Sequence, residues 1–505
     1  MRGTVSRKVC DVGRPHRVGV GRDLEAGVLP CHDPQTVRVH ERAKETGEFP
    51  AQRAVACAGR LVREEPAAHQ LRRLARQVTP LEVIGGIRKD PVAHYHQSMK
   101  TLFVSLVLLA ACARIAVTDG PFPDGLVRPG LDVFVADVPA ELRGKRIGLV
   151  ANHSAISRSG RPAIDLIAEH RDLKLVALFA PEHGIRGTAA AGAKVEDERD
   201  SKTGLPIYSL YKTEDRGPAD SMLTNVDAVV YDLQEVGGRT WTYVSTMALS
   251  MAAAKRKGLP FVVLDRPNPI GGEIVEGAPL DPRFKSFVGM YPIPARHGMT
   301  VGELATLFND RFGIGANLIV IKAANWKRSM WFEDTGLPWV NPSPNLRSPN
   351  ALKNYPGTVY FEGTNLTEGR GTERPFEQIG APWLNAQEVV RAMNAMGLPG
   401  IRFDAITMAV EPTAAKYKGL TIPGIRFVVT DRNAYRPVRT ALTLIDEIRR
   451  QHTADFRWTN SIDRLAGTDR VRLAIEAGTL SALLDQWDRE AGEFRRGVSD
   501  LMLYR

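Results

Sequence analysis

The chain has 505 residues, 43% hydrophobic and 25% charged, with a formal net charge of +10. The length supports two or three domains with full cores, and the composition is that of an ordinary soluble chain. The positive charge does not carry a nucleic-acid reading. Residues 1–98 alone hold 17 Lys and Arg against 11 Asp and Glu, and no dense basic block with interleaved aromatics follows residue 112.

Residues 1–98 differ from the rest. They hold six of the eleven His and three of the four Cys, and show no sustained helical or strand period apart from a brief Leu61–Val78 stretch. We expect an upstream extension without a packed core, disordered and preceding the true start at Met99; the alternative is a basic N-terminal domain with a buried helix at 101–111. Met99-Lys100, the apolar run 101–111 and the small residues before Cys112 have the form of a signal peptide, too short for a spanning helix. Leu109-Ala110-Ala111-Cys112 resembles the lipobox of bacterial lipoproteins, which implies export and a lipid anchor on Cys112, in the periplasm or on the membrane. No cysteine follows, so the mature chain has neither a disulfide framework nor thiol chemistry. Residues 113–130 read as a Pro/Gly-rich linker.

From residue 131 to 295 the pattern alternates strand and helix. Four short apolar runs (147–151, 175–180, 228–231 and 261–264) each stop at a polar cluster. Continuous apolar runs of this kind read as strands buried on both faces, and helices are expected at 162–170 and 245–257. The alternation predicts an α/β fold, a Rossmann-like parallel sheet domain. No Gly-x-Gly-x-x-Gly or phosphate loop is present, so no nucleotide cofactor is expected. Residues 296–505 read as a smaller α+β domain. A capping box at Thr300–Glu303 opens a helix to about Phe312, and a strand follows at 317–323. An aromatic-rich stretch at 336–382, expected to be an ordered substrate-binding loop, holds a short strand at 358–361. Helices at 385–396, 437–451 and 479–493 and strands near 405–411 and 425–431 complete the domain.

In an open parallel sheet, ligands bind beyond the carboxyl ends of the strands, which gathers the polar clusters at one edge. Glu182, with His183 beside it, follows an apolar strand. A carboxyl group set against apolar surface suits general-acid chemistry. Glycoside hydrolysis needs such an acid and a second group across the anomeric carbon, and Asp232 and Glu235 are the available second carboxylates. Asn152 and His153 are suited to sugar hydroxyls or, equally, to closing a turn. Gln234, Asp265, Arg266 and Asn268 crowd the same edge, and Arg239 is suited to a carboxylate. His297 precedes the capped helix. The Gly-rich stretch with Glu362, Asn365, Glu368 and Arg370 is suited to hydroxyl contacts. A metal set of His153, His183 and Asp232 is a weaker alternative, without His-x-x-x-His spacing.

Six ordered motifs across 130–505 resemble glycoside hydrolase family 171, formerly domain of unknown function 1343. They are Asn152-His153, Pro181-Glu182-His183-Gly184, Asp232-Leu233-Gln234-Glu235-Val236-Gly237, Asp265-Arg266-Pro267-Asn268-Pro269, Arg296-His297-Gly298-Met299 and Glu362-Gly363-Thr364-Asn365. One departure is Glu235, where related sequences are expected to carry Asp; Gly238, in place of a bulkier residue, is a second candidate. The resemblance implies an exo-β-N-acetylmuramidase that removes terminal N-acetylmuramic acid from peptidoglycan fragments without a cofactor. It also implies a cleft between the two domains and a catalytic role for Glu182 with His183. For the lactyl carboxylate of such a substrate, Arg239, Arg370 and Arg374 are the expected counter-charges. The competing functions are a muropeptide-binding lipoprotein without turnover and a metal-dependent hydrolase or esterase.

Overall fold

Two sheets organise the computed structural model, which describes residues 122–185, 197–212 and 216–505. The expectations for residues 1–98 and 99–112 lie outside these residues, as does most of the 113–130 linker. The end of that linker is not a free tether. Val127 is buried with Ala323, Trp326 and Tyr504, and Arg128 N donates to the Ala324 carbonyl at 3.0 Å.

The larger sheet contains β1 (Arg146–Ala151), β2 (Lys174–Ala180), β3 (Glu198–Arg199), β4 (Pro206–Ser209), β5 (Ala228–Asp232), β6 (Pro260–Leu264) and β7 (Asn317–Ile321), in the order β3-β4-β2-β1-β5-β6-β7. All neighbours pair in parallel except the short edge strand β3. From β1 the chain winds outward through β2 and β4, then returns to lay β5, β6 and β7 on the other side. This is the doubly wound Rossmann order, with its switch point between β1 and β5. The apolar runs are strands for the expected reason: every residue of β5 is buried, and so are five of the six in β1. Gly148 on β1 is the close-approach position, since a Cβ there would stand 2.6 Å from Phe179 Cε2.

The predicted boundary at 295/296 cuts through this sheet. Helix Val301–Asp310 and β7 belong to it, with β7 pairing along the whole of β6. The apolar residues of β7 need a partner edge, and β6 offers one. The capping box of this helix is present as expected: Thr300 Oγ1 accepts from Glu303 N, and Glu303 Oε2 accepts from Thr300 N.

The smaller sheet is antiparallel, β8 (Gln378–Gly380), β10 (Thr421–Val429) and β9 (Ile401–Ala409) in that spatial order. Helices Ala386–Ala395, Pro437–Gln451 and Leu480–Gly497 accompany it. The stretch 336–382 is not a loop throughout, and the strand expected at 358–361 is absent. Helix Pro349–Thr358 runs into a 3₁₀ turn, Val359–Gly363. Ser348 caps that helix by accepting from Ala351 N, and Pro349 occupies its first turn. Pro356 inside it hid the helical period.

The chain end returns to the large sheet. Tyr504 OH donates to Asp265 Oδ2 at 2.6 Å and accepts from Ala323 N at 2.8 Å. Across the two sheet regions, Glu276 Oε1 accepts from Val438 N (3.1 Å) and Arg439 N (3.3 Å), at the N-terminus of helix Pro437–Gln451. Burial pushes the Glu276 carboxyl from its ordinary 4.5 up to about 7, against the opposing pull of Arg296. The folded chain therefore keeps a proton here that the unfolded chain releases. The associated stability is complete below about pH 4.5 and is lost as pH rises through about 7. Urea unfolding of the wild type is expected to show stability falling across that window from this group, and Glu276→Gln is expected to reduce the slope. An unchanged slope in the variant would dismiss Glu276 as its source.

Candidate active site

The carboxyl ends of β1, β2, β5 and β6 deliver the predicted clusters to one edge, and the geometry sorts them. At the end of β1, Asn152 Nδ2 donates to Tyr243 OH at 2.7 Å, while its Oδ1 accepts from Ser154 N (2.9 Å) and Ser154 Oγ (2.6 Å). Asn152 thus closes the turn and holds Tyr243. His153 Nε2 donates to the Asn341 carbonyl at 2.7 Å. Burial holds the His153 imidazole below its ordinary range, the Asn341 contact opposes this, and the nearby His183 adds to the lowering. The two histidines are therefore neighbours.

At the end of β2 the chain turns sharply. His183 and Gly184 both have φ of +73°, a left-handed conformation that a histidine adopts only under constraint. Glu182 is buried apart from 8% of its surface. Its Oε2 accepts from Thr242 Oγ1 at 2.6 Å, and Tyr211 directs its hydroxyl at the same carboxylate. Burial, and next the Glu182 charge, raise the Tyr211 hydroxyl well above its ordinary range. Thr242 opens the helix Thr242–Arg256, so Glu182 stands before a helix N-terminus, where negative charge is favoured.

At the end of β5, Asp232 is fully buried, and Arg266 engages both its oxygens, Nε to Oδ1 at 2.5 Å and Nη2 to Oδ2 at 2.9 Å. Arg266 also donates to the Ile156 carbonyl at 3.0 Å. Burial outweighs the Arg266 charge and leaves the Asp232 carboxyl above its ordinary range. Both Asp232 oxygens are engaged by Arg266, so neither is free in this structure for the catalytic role expected of it. Glu235 Oε2 accepts from Gly237 N, while its buried Oε1 makes no hydrogen bond and faces His297 Nε2 at 3.3 Å. His297 Nδ1 accepts from Met299 N, and its side chain is fully buried. Gln234 Nε2 donates to the carbonyls of Glu235 and Pro267. With Ser154 and Arg266 it lines a cavity of about 20 Å³, room for one water at the switch point.

Several residues expected at the ligand serve the fold instead. Asp265 accepts four hydrogen bonds, from Arg266 N, Thr300 Oγ1, Gly302 N and Tyr504 OH. Burial still pushes its carboxyl up to about 6. Arg239 donates to the carbonyls of Ala278, Ile293, Leu465 and Ala466, joining distant segments of the chain. Asn268 bonds Met299 O and Ile270 N, and Asn365 bonds Asp455 O and Arg457 N. Each lies at a polar cluster, and sequence alone does not distinguish a side chain that ties loops together from one that faces a ligand.

The cluster from the Gly-rich stretch does assemble. Arg370 Nη1 bridges Glu362 Oε1 (2.6 Å) and Glu368 Oε1 (2.7 Å), and Lys416 Nζ lies 3.5 Å from Glu368 Oε2. Burial raises the Glu362 carboxyl; Arg370 and Lys416 overcome burial at Glu368 and hold it low. Tyr355 links this cluster to the sheet edge. Its ring meets Trp241 at 6.0 Å and Phe376 at 5.1 Å, and its hydroxyl feels the charges of Glu362, Arg370 and Glu182. Tyr211, Thr242, Tyr355 and Lys416 had no assigned role in the sequence. Tyr211 follows β4 as Glu182 follows β2, a position that the short run 206–209 does not reveal in the sequence. Among the described residues no group of three or more His, Cys, Asp or Glu side chains is arranged to hold a metal.

The arrangement places one carboxyl group in a polar, aromatic-walled setting suited to proton transfer. Models of the exo-β-N-acetylmuramidase NamZ match the chain in two consecutive parts, the N-terminal model over residues 147–350 and the C-terminal model over 353–504. The chain belongs to this family. It is 45% identical over 382 residues to the peptidoglycan β-N-acetylmuramidase NamZ of Bacillus subtilis strain 168, covering 75% of this chain and 91% of that protein. Two crystal structures of DUF1343 family proteins from Bacteroides fragilis share the fold. One aligns with a TM-score of 0.70 at 31% identity and the other with 0.59 at 29%; each alignment covers 75% of this chain and 99% of the other. The N-terminal NamZ model spans β1 to β7 and the C-terminal model spans the antiparallel sheet, so family membership extends over both sheet regions.

Proposed function

We propose that this protein is an exo-acting glycoside hydrolase that releases N-acetylmuramic acid from the non-reducing end of peptidoglycan fragments, with Glu182 as the general acid. The reading rests chiefly on the setting of Glu182, at a strand end in a NamZ-family chain and held by Thr242 and Tyr211. When Glu182 gives its proton to the leaving glycosidic oxygen, the carboxylate that forms accepts the Thr242 hydroxyl and meets the helix N-terminus. Both interactions strengthen as charge develops, which favours the transition state over the ground state. His183 and His153 flank the acid and are read as its polar surround. Gln234, Glu362, Glu368 and Arg370 are read as substrate contacts, while Asp232, Arg266, Glu235 and His297 brace the sheet edge. The purified protein is expected to hydrolyse a chromogenic β-N-acetylmuramide, and to release monosaccharide only from the ends of peptidoglycan saccharides. Internal cleavage, or no turnover, would overturn the reading.

Export as a lipoprotein anchored at Cys112 belongs to the same proposal and is supported by the Met99–Cys112 pattern. Mass analysis of the protein isolated from membranes is expected to find a lipidated Cys112 at the N-terminus; an unmodified chain would exclude the anchor.

A further inference from the structure

Arg216 differs from the arginines considered so far. Arg239 is spent on four carbonyls, Arg266 on Asp232, Arg370 on Glu362 and Glu368, and Arg374 lies beside Glu373 and Glu377. Arg216 makes no ion pair among the described residues. Its guanidinium lies against two rings, 4.7 Å from the Tyr211 centroid and 4.5 Å from that of Phe287, with Nη1 3.4 Å from Tyr211 OH. The rings meet edge to face at 5.6 Å. The residue is partly exposed. Its backbone is left-handed at φ +48°, and a Cβ on the following Gly217 would stand 3.0 Å from Leu249 Cβ on the helix that begins at Thr242. A left-handed backbone, a cation held against two rings and partial exposure together describe a pre-organised donor to a carboxylate. The Tyr211 hydroxyl is the contact shared by Arg216 and Glu182, meeting Arg216 Nη1 and the Glu182 carboxylate.

We infer that Arg216 is a specificity-determining residue that binds the carboxylate of the substrate's lactyl ether while Glu182 addresses the glycosidic oxygen. The inference rests on the muramidase reading. N-acetylglucosamine lacks the lactyl group, so this contact separates the two sugars. Arg370, which shares its charge with two carboxylates, does not supply it.

The test compares wild type, Arg216→Met and Arg216→Lys on chromogenic β-N-acetylmuramide, its lactyl methyl ester and the matching β-N-acetylglucosaminide. A charge-assisted bidentate contact corresponds to about a 10- to 100-fold change in KM. For wild type, the acid is expected to be favoured over the ester by about that factor. Arg216→Met is expected to lose this preference through KM, with kcat largely kept, and Arg216→Lys to restore part of it. A variant that prefers the acid over the ester as strongly as wild type overturns the inference. So does an equal fall in kcat for acid and ester, which would instead mean that Arg216 acts through Tyr211 on Glu182. If wild type turns over none of the three, the muramidase reading fails first.

Discussion

Glu182→Gln is expected to lower kcat on a β-N-acetylmuramide by about a hundred- to ten-thousand-fold, the usual contribution of a positioned general acid. The amide keeps the shape and accepts the Thr242 hydroxyl as the carboxylate does, but has no proton to give. Folding is therefore expected to be unchanged, with thermal unfolding close to wild type. Thr242→Val tests the setting of the acid. It removes the 2.6 Å hydrogen bond to Oε2 and leaves the carboxyl in place, so its kcat is expected to fall less, by about tenfold or somewhat more. Full activity in Glu182→Gln would remove Glu182 from the chemistry. Equal losses in both variants would mean that the hydrogen bond, rather than the acid, carries the rate.

Asp232→Asn is expected to destabilise the fold by about 3–5 kcal/mol, the cost of leaving a buried cation without its counter-charge. The Arg266 side chain is 4% exposed and that of Asp232 0%. The pair joins β5 to the turn after β6, and the same guanidinium reaches the Ile156 carbonyl beyond β1, so its loss loosens the switch point. The pair itself is not a net source of stability, because burial already holds the Asp232 carboxyl above its ordinary range. Removing both charges with Asp232→Asn and Arg266→Met should therefore recover much of the loss, giving a large coupling energy in a double-mutant cycle. Urea unfolding measures all three. A loss below about 1 kcal/mol in Asp232→Asn would show that solvent or another group compensates Arg266.

The fate of the individual clusters shows what was legible before the fold. Pro181-Glu182-His183-Gly184 was readable because an apolar strand leads into it, and a continuous apolar run is a local property of the chain. The strand end after β4 escaped notice for the converse reason. Its four residues begin with proline and give too short a run, so Tyr211 was invisible although it lies against Glu182. Asp232, Asp265 and Arg239 were correctly placed at loops that meet, yet their partners are Arg266, Tyr504 and the Leu465 and Ala466 carbonyls. Nothing local distinguishes a carboxylate that awaits a sugar from one that accepts four internal hydrogen bonds.

By itself the sequence determined the parallel sheet, its order of alternation, the capped helix at Thr300 and the edge where the chemistry gathers. These follow from side-chain period and from backbone hydrogen bonding, which act within one element or between neighbours. The tertiary structure decided that β7 joins the first sheet, that the aromatic stretch contains a helix, and which charges are neutralised. Much of the charge pairing is settled by contacts between residues distant in sequence, as for Asp232 and Arg266, and burial then sets the cost of each unpaired group. Neither Arg216 nor Arg239 has a carboxylate partner among the described residues, but Arg239 is buried on four carbonyls while Arg216 is partly exposed beside Tyr211, a distinction that composition and spacing do not carry.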